Sequence, residues 1–208
     1  MSTIQPPSVV VFDLGKVLVD FDYTIAAKKI ASKGTILAEK IYEFIALSPL
    51  LFKYETGLVT RQEFFDAVCE TTGYAGDLEE FAGFFADIFT PIDPMVELHS
   101  ALREARIPTY IFSNTNDLAI SHIRKNFPFF NNFDGYILSY EVGAMKPDTK
   151  IYEALEKMAG KRGPDVLYLD DRLENISAGA ARGWQVILQE TPEKTLAAIR
   201  KLGLLNGQ

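Results

Sequence analysis

The chain is poor in the residues that announce several common chemistries. Its single cysteine, Cys69, excludes an intrachain disulfide, and a cysteine-based zinc site would need more thiolates. The two histidines, His99 and His122, fall within or beside helical patterns, away from strand ends, and read as structural. Long hydrophobic runs are missing: stretches such as Val9-Val10-Val11-Phe12 fall far short of a membrane span. Met1 to Ser8 lacks the basic start and apolar stretch of a secretory signal. Positive charge is scarce too, with Lys+Arg 21 against Asp+Glu 28 and a net charge of -7. That excludes a broad electropositive face for nucleic acid, though not a local anion pocket, which needs only a cation or two. The expectation is a cytoplasmic, acidic globular protein with no membrane or nucleic-acid partner, as a monomer or weak homodimer.

What is present suits a sizeable core: 208 residues, 48% hydrophobic, with 15 Phe and 9 Tyr. Short apolar runs end in polar clusters. Ser8 to Phe12 stops at Asp13-Leu14-Gly15, Pro108 to Phe112 at Ser113-Asn114, and Gly135 to Leu138 at Ser139. Val166 to Leu169 stops at Asp170-Asp171, and Gln185 to Leu188 follows Gly183, a helix-ending residue. Continuous rather than alternating runs suit strands buried on both faces of a parallel sheet.

Between them the spacing predicts helices. Met95, Leu98, Leu102 and Ala105 make one apolar face, and Ile151, Leu155 and Met158 another, stopped at Gly160. Thr191-Pro192-Glu193 opens a last helix. Alternating strand and helix gives a doubly wound α/β fold, whose ligands sit at the carboxyl ends of the strands. Asp13, Ser113 and Asp170-Asp171 all fall there.

One crossover is far too long for such a unit. Residues 21–90 read as an inserted helical cap, with residues 1–20 and 91–208 forming the core. Within the insert, Thr60-Arg61-Gln62-Glu63 is a capping box, and Leu78, Phe81, Phe85 and Ile88 mark an apolar face. Phe44, Phe52, Tyr54, Phe64 and Phe65 suit the insert's own core better than a pocket lining. Glu55 and Thr56, beside Gly57, are its polar positions of interest.

Taken singly, each strand-end residue has an ordinary explanation. An Asp after a strand forms turns, Ser113-Asn114 is a turn, Lys146 before Pro147 is a surface lysine, and Asp170-Asp171 caps a helix. Their joint order carries the argument. Val9 to Leu18, Ile111-Phe112-Ser113-Asn114, Gly143-Ala144-Met145-Lys146-Pro147-Asp148 and Tyr168-Leu169-Asp170-Asp171 follow one another, with Asn175 beyond. In this order the sequence resembles the haloacid dehalogenase-like hydrolases across nearly the whole chain, closest to their sugar-phosphatase and epoxide-hydrolase N-domain branch.

The resemblance implies a Rossmann-like core and a Mg²⁺-dependent phosphatase acting on a small phosphorylated metabolite such as a sugar phosphate. Asp13 would attack phosphorus and form an aspartyl-phosphate, splitting one hard displacement into two. Mg²⁺ would lie between the two anions, held by Asp13, the backbone carbonyl of Gly15, Asp170 and Asp171, with the direct ligand of the last two left open. Ser113 and Asn114 would bind the transferring group, and Lys146 would neutralise Asp13 and a phosphoryl oxygen. Asn175 would brace the acidic loop or Lys146.

Two positions depart from the family pattern. Most of its phosphatases carry an aspartate two residues after the nucleophile, as general acid and base; here the residue is Gly15. Loss of such a group costs roughly 100-fold to 10,000-fold. Lys16 is the other departure: it either reaches substrate phosphate or points to solvent. Asp20 and Asp22 either replace the missing carboxylate or cap the next helix. Two further readings follow: a catalytically weak domain that binds phosphoryl ligands or a partner, and a metal-free 2-haloacid dehalogenase. The adjacent acids Asp170-Asp171 argue against the latter, because a site for an anionic substrate gains nothing from crowded carboxylates.

Overall fold

β-Branched residues stiff at χ1 favour extended backbone, and Val9–Phe12 forms strand β1, buried on both faces. The computed structural model describes residues 6–205; Met1 to Gln5, on which part of the expectation about a secretory signal falls, and residues 206–208 lie outside. After β1 come strand β2 (Val19–Phe21) and five helices: α1 (Tyr23–Ala31), α2 (Ala38–Ala46), α3 (Pro49–Glu55), α4 (Arg61–Thr72) and α5 (Leu78–Ala86). Strand β3 (Phe89–Pro91) then leads to α6 (Asp93–Glu104), β4 (Thr109–Ser113), α7 (Asp117–Asn126), β5 (Gly135–Leu138) and the single turn α8 (Ser139–Val142). The chain ends with α9 (Thr149–Ala159), β6 (Val166–Asp170), α10 (Leu173–Ala181), β7 (Gln185–Leu188) and α11 (Pro192–Lys201).

Five strands form one parallel sheet in the order β5-β4-β1-β6-β7. The chain builds outward from β1 in one direction, then returns and builds the other way. The order therefore reverses between β1 and β6, where an open α/β sheet leaves a crevice at its carboxyl edge. Apolar side chains cover both faces: Met95, Leu98, Leu102 and Ile123 on one, Ile151, Leu155, Ile176 and Trp184 on the other. This is the doubly wound fold expected.

The expectation of uniformly buried strands fails at β7, an edge of the sheet, whose residues are all half-buried. The α9 face also differs. Ile151, Tyr152, Leu155 and Glu156 turn inward, whereas Met158 is 52% exposed. Ala105 likewise lies exposed at the end of α6.

β2 and β3 pair antiparallel as a separate ribbon through which the chain leaves the sheet and returns. The helices between them have their own core, in which Tyr54 stacks on Phe64 at 4.5 Å and Phe81 on Phe85 at 5.7 Å. Phe52 stays 55% exposed and joins neither core nor pocket. The Thr60–Glu63 capping box forms as expected, with each residue's side chain accepting from the other's backbone N–H. Asp22 accepts from Thr24 N–H at 2.8 Å and so caps α1.

Candidate active site

The sheet delivers Asp13, Ser113 and Asp170 to adjacent strand tips, because β1 pairs with β4 on one side and β6 on the other. Lys146 arrives from the loop between α8 and α9. Its Nζ lies 2.9 Å from Asp13 Oδ1 and 2.7 Å from Asp170 Oδ2, and donates to the Phe112 carbonyl at 2.8 Å. All three protons of the ammonium thus have oxygen partners. Lys146 is no surface lysine; it is 5% exposed. The expected Asn114 contributes differently: its side chain accepts from Lys146 N–H at 2.7 Å and donates to the Lys146 carbonyl at 3.0 Å. This two-way clamp fixes the lysine's backbone beside β4.

Asp170 is fully buried and held from several directions. Asn175 Nδ2 donates to both its oxygens, at 3.0 and 3.1 Å, and Arg172 N–H donates to Oδ1 at 2.8 Å. The Tyr168 hydroxyl also donates to Oδ2. Tyr168 escaped the reading of the sequence, which took it as strand apolar surface. The signal was its spacing, since residues two apart on a strand share a face. Burial pushes Asp170 upward, but the Lys146 charge and these donors hold it below the ordinary carboxylate value.

Asp13 is balanced differently. Burial pushes its carboxyl up to about 7; Lys146 and the Leu14 N–H, at 2.7 Å, work against this, while the Asp170 charge adds to it. Asp171 is half-buried and also pushed upward, by burial and by Asp170. Oxygens of Asp13, Asp170 and Asp171 all lie within 4.8 Å of one another. Three carboxylates therefore face a single ammonium group. Such an excess of hard oxygen donors and negative charge fits a small divalent cation.

Ser113 is buried at the tip of β4, its hydroxyl 3.3 Å from the Asn114 carbonyl. Lys16 is not brought into the cluster. Its ammonium pairs with Asp20, donates to the Phe21 carbonyl at 3.1 Å and sits 4.7 Å above the Phe21 ring. Its neighbours Asp20 and Asp171 share with it a cavity of ≈ 550 Å³ beside the site. Phe21 also explains Gly15: a Cβ there would fall 2.8 Å from the Phe21 ring. An aspartate at position 15 would require that ring to move. His99 is buried, stacked 3.8 Å from Phe133, and takes no part in the site.

A doubly wound sheet with a lysine bridging two strand-tip aspartates defines an α/β enzyme with an anion-handling centre. The chain matches the haloacid dehalogenase-like hydrolases over residues 7–183 and belongs to that family. Among curated relatives, it is 24% identical to a D-ribitol-5-phosphate phosphatase of Bacteroides thetaiotaomicron, covering 87% of this chain and 91% of that one. A sesquiterpene phosphatase of Aspergillus oryzae is also 24% identical, over 83% and 85%. An (S)-2-haloacid dehalogenase of Pseudomonas putida is 24% identical as well, over 85% and 82%. A solved HAD family enzyme of B. thetaiotaomicron, in complex with magnesium and inorganic phosphate, superposes with a TM-score of 0.78 at 26% identity. That match covers 87% of this chain and 93% of the other. Among the described residues, no helix is long and apolar enough to cross a membrane.

Proposed function

We propose that this hydrolase cleaves small phosphate monoesters through an aspartyl-phosphate on Asp13. The observation that carries the reading is the Lys146 ammonium, buried between Asp13 and Asp170 at the switch point of the sheet. Phosphorus is already bonded to electron-rich oxygens, so the rate comes chiefly from charge neutralisation and alignment. Asp13, the Gly15 carbonyl, Asp170 and Asp171 would hold Mg²⁺, which when bound neutralises charge between carboxylate and phosphoryl oxygens. The phosphatase relatives and the magnesium and phosphate complex of a HAD enzyme support this assignment.

The protein's own groups do the rest. Asp13 lies at the end of a buried strand, its Oδ1 pinned by Leu14 N–H and Lys146, and is poised for in-line attack through its other oxygen. Lys146 neutralises the nucleophile before attack and a phosphoryl oxygen after it. Ser113 donates its hydroxyl to the transferring group, and Asn114 keeps Lys146 in place. The helices of residues 21–90 serve as a cap that excludes water. A dehalogenase reading also has a relative, yet the three converging carboxylates count against a haloacid anion at this centre.

Asp13→Asn tests the reading, with release of inorganic phosphate from an ester panel in Mg²⁺ as the readout. The expected loss is about 10,000-fold or more, the scale on which removal of a covalent nucleophile is felt. Unchanged phosphate release in that variant refutes the assignment.

A further inference from the structure

The chemistry proposed above leaves one task unassigned. The departing alkoxide needs a proton, and the water that later attacks the phosphoenzyme must lose one; Gly15 has no side chain for either. Asp20 and Asp22 do not fill the gap. Asp20 is held by Lys16 at the surface, and Asp22 caps α1.

One carboxylate residue shares a crevice with Gly15. A narrow crevice of ≈ 50 Å³ is lined by Leu14 and Gly15 after the nucleophile, by Ser113 and Asn116 from β4 and its following loop, and by Glu55 and Tyr23 from the insert. Two of its polar residues, half-buried Glu55 and buried Asn116, keep polar atoms without a hydrogen-bond partner among the described residues. Among the described residues nothing donates a hydrogen bond to the Glu55 carboxylate. Asn116 is 1% exposed, and its Nδ2 has no acceptor although its Oδ1 caps α7. Buried polar atoms are left unpaired at a cost, and in a crevice beside a reaction centre they mark where a ligand's polar atoms complete the set.

The backbone around Glu55 is pinned to the sheet domain from both sides and at its own carbonyl. Before it, the Tyr54 hydroxyl donates to Asp117 at the start of α7, which also pairs with Arg61. At residue 55, the Ser139 hydroxyl donates to the Glu55 carbonyl at 2.5 Å while accepting from Thr115 N–H at 2.9 Å. After it, Gly57 adopts φ +73°, and a Cβ there would lie 2.4 Å from the Tyr140 carbonyl oxygen. Only glycine permits both that conformation and that approach. None of these anchors uses the Glu55 side chain. Three contacts thus hold one residue of this crevice in place and leave its carboxyl group without a hydrogen bond.

We propose that Glu55, delivered by the insert, is the general acid and base of this enzyme, in place of the missing aspartate; the assignment rests on the phosphatase reading. In the first step Asp13 bonds to phosphorus and the ester P–O bond breaks, the leaving oxygen taking the Glu55 proton to depart as an alcohol. In the second, the Glu55 carboxylate takes a proton from water as the water oxygen bonds to phosphorus. The bond from phosphorus to Asp13 breaks, so that Asp13 and protonated Glu55 are both restored. Asn116 Nδ2 donates to a polar atom of the leaving group, which places a hydroxylated alcohol in the crevice. Burial pushes the Glu55 carboxyl up to about 7, with Arg172 opposing it, so both protonation states are populated near neutrality. Tyr23 faces it from α1 and stays protonated, pushed up by burial and by Glu55 itself.

The test is Glu55→Gln in the full-length protein with Mg²⁺, on 4-nitrophenyl phosphate and glycerol phosphate by rapid mixing. Nitrophenolate leaves without a proton, so the variant should give a stoichiometric burst at the wild-type rate and then stall as phosphoenzyme. With the alkyl ester, the first step itself should slow by roughly 100-fold to 10,000-fold. Equal slowing of the first step on both esters, a change in KM alone, or wild-type turnover on both would overturn the assignment. Failure of the underlying reading looks different: wild-type protein would then form no phosphoenzyme from either ester, or Asp13→Asn would retain activity on both.

Discussion

The two walls of the reaction centre are built on opposite electrostatic plans. On the sheet side, charge is buried and compensated. Lys146 satisfies three oxygens, and Asp170 collects donors from Lys146, Tyr168, Asn175 and Arg172. On the insert side, Glu55 is desolvated with Arg172 as its counter-charge, and across the crevice from it, at the start of α7, Asn116 Nδ2 has no partner among the described residues. The first wall stores organisation in the folded state, so its electrostatics are paid before substrate arrives. The second keeps its polar groups in reserve. The comparison teaches that folding stability and reactivity should respond in different directions when each wall is cut.

The largest effect belongs to Lys146→Met. Removing the ammonium strands two buried carboxylates, and breaking a buried ion pair from one side costs about 3–5 kcal/mol. Chemical denaturation should show that loss at neutral pH, together with loss of phosphate release. The deficit should shrink in acid, where the orphaned carboxylates take up protons. A variant as stable as the parent at pH 7 would mean that the sheet wall is not the compensated unit described here.

Glu55→Gln should move stability the other way. A folded-state pKa raised from 4.5 to about 7 means that the folded protein holds its proton more tightly than the unfolded chain. The raised value favours the folded state below pH 4.5, and that advantage is lost as pH rises towards 7. Replacing the carboxyl by an amide removes the penalty, stabilising the protein at pH 8 by up to about 3 kcal/mol relative to its difference at pH 4. Melting temperatures of both proteins across that range give the sign without any substrate. A pH-independent difference would place the carboxylate in water and collapse the contrast between the walls.

How far the sequence carried this picture divides along the same line. The sheet wall was legible because its residues sit at ends of apolar runs, and strand ends converge in a parallel sheet whatever the loops do. The gathering of Asp13, Ser113 and Asp170 at one edge followed from that rule, whereas their roles, and that of Lys146, came from the joint order of the motifs and the resemblance it carries. Tyr168 was hidden by a misread role: its ring belongs to the core while its hydroxyl serves Asp170. The opposing wall was barely legible. Glu55 stood out only as a polar residue beside glycine, because its neighbours Ser139, Tyr140 and Asp117 are remote in sequence. Lys16 was ambiguous for the opposite reason, since its partners Asp20 and Phe21 are local and a turn decides which way it faces.

Tyr168→Phe is a milder cut in the sheet wall. It removes one donor from a buried carboxylate while keeping the ring, and hydrogen bonds to charged groups contribute about 1.5–3 kcal/mol. Asn175, Arg172 N–H and Lys146 still hold Asp170, so the loss should fall near the lower figure. Catalysis on aryl and alkyl esters should drop together, because the sheet wall acts before any leaving group is distinguished. A selective loss on alkyl esters would blur the division of labour between the walls.

The smallest effect comes from the joint between them. Ser139 donates to the Glu55 carbonyl and accepts from Thr115 N–H, so Ser139→Ala unties the insert from the β4 loop at one point. Tyr54 with Asp117, and Gly57 against Tyr140, remain. Stability should therefore fall by only about 1 kcal/mol, the net value of an ordinary hydrogen bond. The kinetic signature should nonetheless carry the mark of the insert wall: a loosened Glu55 slows alkyl esters more than aryl esters, and leaves the burst from 4-nitrophenyl phosphate intact. If Ser139→Ala slows both esters alike, the tie serves the sheet wall through Thr115 instead, and the position of Glu55 owes nothing to it.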